Sequence, residues 1–215
     1  HVKVSALLNP RYVSSLRQSI DAERATPSAE LHAGDLGPYE SSETTHYSIV
    51  DAEGNAVAVT YTLNGGYGCG VTATGLGFLL NNEMDDFAAK PGAPNSAGLV
   101  QGEGNAIQPG KHPLSSMTPT IVLKDGKPFL ITGSPGGSRI TTTVLQVVVD
   151  VIDRGMDIAA AVSAPRIHNQ WVPDQVYAEP GVPDIVVSTL KARGDKVVPQ
   201  RPFTSANSIL ITPGG

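Results

Sequence analysis

Residues 44–63 read TTHYSIVDAEGNAVAVTYTL, a run of strand-forming residues interrupted by a turn. The turn is Ala52-Glu53-Gly54-Asn55, whose composition is typical of a tight reversal of the chain. The flanking runs are rich in β-branched and aromatic residues, so we predict a β-hairpin with strands over 46–51 and 56–63. Because the second run is mostly apolar, we expect its strand to be covered on both faces.

The rest of the chain places further hairpins and helices in separate runs. Residues 120–132 repeat the hairpin pattern around Asp125-Gly126-Lys127, and 208–212 form a last predicted strand. The helical spacing of apolar residues, together with capping residues, predicts helices over 10–24, 138–154, a short stretch between Asp157 and Pro165, and 184–193. This separation indicates an α+β fold with helices layered on antiparallel sheet.

Two segments lack such regularity. Residues 25–43 contain scattered Pro, Gly and Ser, and they indicate an irregular, exposed connection. Residues 88–113 are rich in Gly and Pro and are too long for an ordinary loop. We therefore expect the second segment to be either disordered or a functional lid.

The composition excludes several classes of protein. A chain of 215 residues with 40% hydrophobic content is long enough for one sizeable domain with its own core. The net charge of −5 and the lack of any Lys/Arg cluster argue against nucleic acid as a partner. The single cysteine, Cys69, excludes an internal disulfide and a cysteine-based zinc site, and the five histidines show no metal-binding spacing.

No targeting or membrane segment is recognisable in the sequence. No apolar run approaches the roughly 18 residues of a membrane span. The chain also lacks a signal-like start, and its first residues have the character of the interior of a longer protein. Targeting information is therefore expected to lie elsewhere, if the protein has it.

Thr44 is the first candidate for chemistry. At Glu43-Thr44-Thr45 a polar run meets a predicted strand that begins with a hydroxyl residue. A threonine hydroxyl is a weak nucleophile unless a base lies beside it. Cleavage of the bond before Thr44 would supply an α-amino group with a pKa of about 7.7–8.0, close to operating pH. Taken alone, the pair of threonines is far more typical of an ordinary strand start.

A second candidate is Gly133-Ser134-Pro135-Gly136-Gly137-Ser138, between a predicted strand and the longest helix. Its two consecutive glycines, here called the diglycine turn (Gly136-Gly137), allow the backbone to approach a ligand closely. N–H groups ahead of a helix favour negative charge, as in an anion site or an oxyanion hole. The alternative is a tight turn from strand to helix. The segment matches neither a nucleophile elbow nor a phosphate loop.

Two further polar segments are candidates for substrate binding. Residues 81–86, NNEMDD, follow an apolar run and could bind a metal ion or a substrate ammonium, although their spacing does not fit a calcium loop. The alternative is a solvated acidic turn. The adjacent hydroxyls of Ser115 and Ser116 could bind a carboxylate, but serine pairs are also common in ordinary turns.

Five segments are informative because of the order in which they occur along the chain. They are Thr44-Thr45-His46-Tyr47-Ser48, Thr60-Tyr61-Thr62-Leu63-Asn64, Asn81-Asn82-Glu83-Met84-Asp85-Asp86-Phe87, Pro113-Leu114-Ser115-Ser116-Met117 and Gly133-Ser134-Pro135-Gly136-Gly137-Ser138-Arg139. This ordered set closely resembles the γ-glutamyltransferases, which are N-terminal-nucleophile hydrolases. The similarity extends from about residue 25 to residue 213.

The resemblance implies a four-layer αββα sandwich with antiparallel sheets. It implies a zymogen in which residues 1–43 are the C-terminal end of a large-subunit region. Residues 44–215 would be most of the catalytic small subunit, incomplete at its C-terminus. Self-cleavage between Glu43 and Thr44 would convert the zymogen into a heterodimer.

The resemblance also implies the catalytic roles. The Oγ atom of Thr44 would attack the γ-amide carbonyl of glutathione or a similar donor and form a γ-glutamyl ester. Thr62 would position Thr44, and the N–H groups of Gly136 and Gly137 would form the oxyanion hole. Water, or the amine of an amino acid or peptide, would then take the acyl group. Neither a metal nor an organic cofactor is expected.

The substrate-binding roles follow from the same resemblance. The donor's α-amino group would meet Asn64, Glu83 and Asp86, and its α-carboxylate would meet Ser115 and Ser116. Acids for the ammonium and hydroxyl donors for the carboxylate are what a zwitterionic glutamyl headgroup needs. In the family an arginine of the large subunit also binds this carboxylate, so the region upstream of residue 1 is an expected partner.

The sequence departs from the family pattern at two places. Glu83 stands where some bacterial members have Gln, and a carboxylate should bind the ammonium at least as well. Residues 91–102 resemble the bacterial lid loop, but Ala97 replaces the aromatic residue often found there. We expect looser closure over the donor and hence more hydrolysis relative to transfer, to be tested with Ala97→Tyr.

Two alternative functions stay open. A relative specialised for another amide, such as a cephalosporin acylase or a poly-γ-glutamate depolymerase, would keep the fold and the nucleophile. An inactive fragment acting as a binding module would keep neither self-cleavage nor turnover. Family resemblance alone implies a periplasmic or secreted location.

Overall fold

The computed structural model describes residues 4–31, 43–93, 100–202 and 204–212. Its helices in these residues are α1 (Val4–Leu7), α2 (Pro10–Gln18), α3 (Arg139–Ile152), α4 (Ile158–Ser163) and α5 (Asp184–Ala192). Its strands are β1 (Glu43–Val50), β2 (Ala56–Asn64), β3 (Thr120–Lys124), β4 (Lys127–Thr132), β5 (Ile167–His168), β6 (Val176–Ala178), β7 (Val197–Pro199) and β8 (Ile209–Leu210). This order confirms the α+β class.

The strands pair mainly as the sequence predicts. β1 and β2 form the first hairpin, in which Val50 lies opposite Ala56. β3 and β4 form the second hairpin, and β8 extends it, so that Ile131 pairs with both Ile121 and Ile209. A small additional sheet contains β5, β6 and β7, and its β6–β7 pair is parallel. This last sheet was not predicted from the sequence.

The helix ends follow the predicted caps, with one exception. The side chain of Asp157 accepts a hydrogen bond from the backbone N–H of Ala160 (2.9 Å) at the start of α4. α5 ends just before Gly194, whose φ of 106° suits glycine. α2 was expected to reach Arg24 but ends at Gln18, because none of its residues is buried and packing therefore does not extend it.

The hydrophobic core connects β4 with α3 and α4. Leu130, Val151 and Ala161 form its buried centre, and Leu130 is fully buried. Burying one such aliphatic side chain contributes about 1.5–3 kcal/mol. Partly buried side chains surround this centre: Val122, Phe129, Val148, Met156, Ile158 and Leu210. The core therefore fixes α3, and with it the turn that precedes α3, on the second hairpin.

The outer face of the first hairpin differs from the prediction. We expected β2 to be covered on both faces, but Val57 is 46% exposed and Tyr61 is 57% exposed. Tyr47 and Ile49 of β1 are exposed as well. Side chains alternate between the faces of a strand, and in the described residues only the inner face of this hairpin packs on the second hairpin. None of the described helices is long and apolar enough to cross a bilayer.

A single close contact fixes β1 against the loop that follows β4. His46 is 3% exposed, and a Cβ atom built on Gly133 would lie 2.2 Å from Cε1 of its ring. Asn207 connects the same two segments, because its backbone N–H donates to the Gly133 carbonyl (2.9 Å) and its Nδ2 donates to the His46 carbonyl (2.7 Å). The strand that contains Thr44 is thereby held beside the segment leading to the diglycine turn.

We predict that Gly133→Ala lowers the free energy of unfolding by about 1–3 kcal/mol, because the added methyl group forces the His46 ring or β1 to move. Urea or thermal unfolding measures this change. Gly102→Ala is the matched control, since its φ is −97° and a Cβ there meets no described atom within 4 Å. Its stability should stay within about 0.5 kcal/mol of wild type.

A double variant tests the cause of the destabilisation. Removing the ring makes room for the methyl group, so Gly133→Ala combined with His46→Ala should cost no more than His46→Ala alone. Fully additive costs would mean that the two side chains do not compete for the same space.

Candidate active site

Thr44 lies where the pairing between β1 and β2 shifts register. It is opposite Thr62, whereas Glu43 pairs with Asn64, so β2 contributes one extra residue between these two pairs. Such a bulge bends the strand and redirects the neighbouring side chains. The bond that was predicted to be cut therefore coincides with the irregularity in the hairpin.

The side chain of Thr44 shares a strand face with His46. Strand side chains alternate, and burial follows this rule here: Thr44 is half-buried, Thr45 is exposed and His46 is buried. The ring of His46 contacts Gly133 on that face. The predicted nucleophile is thus on the side of β1 that packs toward the loop before the diglycine turn.

Two hydroxyl groups fix the His46 ring. Its Nδ1 lies 2.8 Å from Oγ1 of Thr60, and its Nε2 lies 3.1 Å from Oγ of Ser48. Burial lowers the pKa of His46, which favours the neutral imidazole. Since a neutral ring can both donate and accept, this residue orients β1 through hydrogen bonds and packing.

Thr62 and Asn64 occupy the end of β2 beside Thr44. Oγ1 of Thr62 accepts a hydrogen bond from the backbone N–H of Asn64 (2.9 Å). Asn64 is 5% exposed and has a φ of 68°, a left-handed conformation that Asn tolerates better than most residues. Its Nδ2 donates to the carbonyl of Asn82 (3.2 Å), which connects the strand end to the acidic segment.

Two more hydrogen bonds seat the acidic segment against β2. The Asn82 backbone N–H donates to the carbonyl of Leu63 (3.0 Å), and its Oδ1 accepts from the N–H of Gly65 (2.8 Å). A single 3-10 helical turn, Glu83–Asp86, follows directly. The predicted carboxylates are therefore placed at the same strand end as Thr62 and Asn64.

The acidic segment is more buried than a solvated turn would be. Asp86 is 6% exposed, whereas Asp85 faces solvent. Oε1 of Glu83 is buried and has no hydrogen-bond partner among the residues that the structure describes. An unsatisfied buried carboxylate oxygen is costly, so this geometry favours a cation-binding role over the solvated alternative.

The diglycine turn directly precedes α3. Gly136 has a φ of 126° and Gly137 a φ of 60°, so both adopt conformations that favour glycine. Their carbonyls accept hydrogen bonds from the backbone N–H groups of Arg139 (3.2 Å) and Ile140 (3.1 Å) and so begin the helix. The backbone here is the N-terminal end of a 14-residue helix, which favours a developing negative charge.

A buried histidine fastens the first turn of α3. His168 is 2% exposed, with Nδ1 at 2.8 Å from Oγ1 of Thr142 and Nε2 at 3.2 Å from Oγ of Ser138. Burial lowers the pKa of His168, and the charge of Arg139 acts in the same direction, against a hydrogen bond with Gln170. His168 is thus a structural support of the turn.

The serine pair packs beside the same helix. The carbonyl of Ser116 accepts hydrogen bonds from Oγ1 of Thr118 (2.9 Å) and from Oγ1 of Thr141 (3.4 Å), which belongs to α3. Ser115 is exposed, and its Oγ accepts from the N–H of Met117 (3.2 Å). Ser116 therefore contacts α3 at Thr141, four residues after Gly137.

The long Gly- and Pro-rich segment is ordered where the structure describes it. Ala88 forms a parallel bridge with Ala106, and Gln101 is buried at 3% exposure. The disordered alternative is thus wrong for 88–93 and 100–113. Residues 94–99, including the predicted lid residue Ala97, lie outside the described residues.

Sequence reasoning missed the asparagines that connect the parts of the site. Asn82 was noted only as part of an acidic cluster, although its amide seats that cluster on β2. Asn207 was not singled out, because a polar residue before a short strand carries no distinctive spacing. Their role follows from contacts between segments far apart in the chain, which a single sequence does not reveal.

Comparison with known proteins identifies the family of the chain. A family model described as gamma-glutamyltranspeptidase matches residues 1–215. The glutathione hydrolase proenzyme of Escherichia coli (strain K12) is 55% identical over 210 residues, which cover 98% of this chain and 36% of that protein. The chain thus spans about a third of the length of the curated relatives it matches.

Solved structures give the same result. A chain of a mutant Helicobacter pylori γ-glutamyltranspeptidase superimposes with a TM-score of 0.75 at 56% identity, covering 79% of this chain and 91% of that one. A cephalosporin acylase from Bacillus halodurans gives a TM-score of 0.80 at 26% identity, covering 99% of this chain and 36% of that one. By sequence and by structure, the chain belongs to the γ-glutamyltranspeptidase family.

Proposed function

We propose that the protein hydrolyses glutathione-like γ-glutamyl amides and transfers their γ-glutamyl group, with Thr44 as a nucleophile freed by self-cleavage after Glu43. The observation that carries this proposal is the position of Thr44. It is the second residue of β1 and lies at a register shift, opposite Thr62 and on the face that packs toward Gly133. The E. coli relative at 55% identity is named a glutathione hydrolase proenzyme, which agrees with a precursor that must be cut.

The proposed reaction has two acyl-transfer steps. In the first, Oγ of Thr44 bonds to the γ-carbonyl carbon, the free α-amino group takes the hydroxyl proton, and the proton passes to the departing amine as the C–N bond breaks. In the second, water or an acceptor amine attacks the γ-glutamyl ester and restores the Thr44 hydroxyl. Thr62 positions the nucleophile throughout.

The N–H groups of Gly136 and Gly137 would stabilise the tetrahedral oxyanion of each step. Their place at the start of α3 supports this role, because the helix dipole adds to the two hydrogen bonds. Losing one such donor typically lowers kcat by about 10²–10³-fold. These glycines therefore matter to the rate as much as the positioning of the nucleophile does.

The α-amino-acid end of the donor, here called the headgroup, would bind between two polar segments. Asn64, Glu83 and Asp86 would meet its ammonium, which agrees with the buried, unsatisfied oxygen of Glu83. The hydroxyls of Ser115 and Ser116 would meet its carboxylate. An arginine from a large-subunit region upstream of residue 1 would complete the carboxylate site.

The proposal includes a division of the chain at the cleaved bond. Residues 1–43 would end the large-subunit region, and 44–215 would belong to the catalytic small-subunit region. A chain that begins at Thr44 would make up about four fifths of the sequence, close to the share matched by the H. pylori chain. The exposed outer face of the first hairpin would pack on a further part of the protein in a four-layer αββα sandwich. Membership of the family favours a periplasmic or secreted location.

A related amidase activity is the second candidate function. It is favoured by the fold match to the B. halodurans cephalosporin acylase over 99% of this chain. Glu83 and Asp86, which lie beside the end of β2, argue against this function, because a glutaryl side chain has no ammonium for them to bind. The γ-glutamyl donor is therefore the better fit.

We predict that Thr44→Ala abolishes both self-cleavage and turnover, because no other group replaces the Oγ atom or the freed amine. Intact mass after incubation measures cleavage, and release of aniline from a γ-glutamyl anilide measures turnover, which should fall at least about 10³-fold. Both are measured on the native polypeptide that carries these residues.

Thr45→Ala is the matched control for this experiment, since Thr45 is the exposed neighbour on the opposite strand face. It should cleave and turn over like wild type. Cleavage that survived Thr44→Ala would show that the nucleophile is misassigned, and indefinite persistence of the intact wild-type chain would favour a binding module.

A comparison of donors separates the candidate functions. We expect a γ-glutamyl anilide to exceed a glutaryl anilide in kcat/KM by at least about 10²-fold, because the glutaryl group leaves buried carboxylates unpaired. Poly-γ-glutamate should be a poor substrate. A glutaryl donor turned over as well as the γ-glutamyl donor would instead support the amidase function.

A further inference from the structure

Asn105 is a buried amide that connects the two halves of the proposed headgroup site. It is 7% exposed and lies at the end of a short 3-10 turn, Glu103–Asn105. Its Nδ2 donates to the backbone carbonyl of Asp86 (2.6 Å), and its Oδ1 accepts from the backbone N–H of Leu114 (2.9 Å). Asp86 belongs to the ammonium side of the site, and Leu114 directly precedes the serine pair.

The orientation of this amide is fixed by its partners. A carbonyl can only accept and a backbone N–H can only donate, so Nδ2 must face Asp86 and Oδ1 must face Leu114. Nδ2 also donates to Oε1 of Gln101 (2.7 Å). The side chain therefore has no alternative rotamer that keeps these three hydrogen bonds.

The backbone of Asn105 is fixed as well. Its N–H donates to the carbonyl of Gly102 (3.1 Å), and its carbonyl accepts from the N–H of Ala88 (2.9 Å), next to the bridge between Ala88 and Ala106. Its side chain bonds to Asp86, nineteen residues earlier in the sequence, and to Leu114, nine residues later. Asn105 thus connects Asp86 and Leu114, the two ends of the chain segment that separates the halves of the proposed site.

We propose that Asn105 is a positioning residue that sets the spacing between the ammonium-binding carboxylates and the carboxylate-binding hydroxyls. The inference rests on the proposed function of these groups. The ammonium and carboxylate of a donor are joined through a single carbon, so their separation is invariant. A site that recognises both must keep its own two halves at a matching distance, and hydrogen bonds tolerate errors of only a few tenths of an ångström.

Asn105→Asp tests this role with little change in size. The aspartate keeps the acceptor for Leu114 but replaces the Nδ2 donor with an oxygen that faces two other acceptors, the Asp86 carbonyl and Gln101. We expect the two halves to separate. KM for a γ-glutamyl anilide should rise about tenfold or more while kcat changes less than about threefold.

A donor without the α-amino group provides the specific readout. KM for a glutaryl anilide should stay nearly unchanged in Asn105→Asp, so discrimination between the two donors shrinks. Calorimetric binding of L-glutamate, compared with glutarate, should show the same selective loss independently of turnover. A merely structural defect would weaken both donors equally and lower the amount of processed enzyme in proportion.

Two control variants separate positioning from packing. Asn169→Asp matches the chemistry, because Asn169 also donates through Nδ2 to a carbonyl, that of Gln175 (3.1 Å), and accepts at Oδ1 from the N–H of Trp171 (2.8 Å) in an exposed loop. Gln101→Met matches the location and burial but leaves both connecting bonds of Asn105 in place. Both should keep the wild-type discrimination between donors.

A rise in KM of Asn105→Asp for the γ-glutamyl anilide but not for the glutaryl anilide supports the proposal. A loss of affinity for L-glutamate but not for glutarate supports it as well. An unchanged KM, an equal effect on both donors, or the same effect in Gln101→Met overturns it. If Asn105→Asp does not fold, Asn105→Ser is read by the same criteria. If wild type turns over neither donor, the proposed function fails. In that case the role of Asn105 is still tested by binding, and equal L-glutamate affinity of wild type and Asn105→Asp overturns this inference.

Discussion

The contact between the His46 ring and the backbone of Gly133 is the constraint on which the rest of the site depends. It holds the strand that contains Thr44 beside the loop that contains the diglycine turn. Only a glycine leaves room for the ring, whose two nitrogens lie within hydrogen-bonding distance of the hydroxyls of Thr60 and Ser48. The proposed nucleophile belongs to the first hairpin and the proposed oxyanion donors follow the second, so this interface decides whether they can act on one carbonyl.

Side-chain amides hold together segments that lack regular secondary structure. Asn82 seats the acidic turn on β2, Asn105 connects that turn to the serine pair, and Asn207 bridges β1 to the loop after β4. An amide can donate and accept at once, so one side chain replaces the ladder of hydrogen bonds that a strand would supply. The proposed headgroup site is therefore assembled on loops, with buried hydrogen bonds supplying the rigidity that catalysis requires.

Sequence patterns predicted the elements far better than their contacts. The two hairpins and α3–α5 follow from alternation, helical spacing and caps, which are local properties. The exposure of Val57 and Tyr61 could not be predicted, because an apolar strand looks the same whether its second face is covered by this chain or by another. The parallel β6–β7 pair and the role of Asn105 likewise depend on residues distant in sequence. Candidate chemistry at Thr44 and the diglycine turn was recognisable because order along the chain, rather than any single motif, identified the family.

We propose that the oxygen of Thr44 carries the acyl group beside the diglycine turn. The most direct measurement is covalent labelling of the native protein with an electrophilic glutamine analogue, followed by peptide mapping with mass spectrometry. We expect one adduct per active site, on the peptide whose first residue is Thr44 with a free amine. An adduct on any other residue, or labelling of a chain still uncut before Thr44, would contradict it.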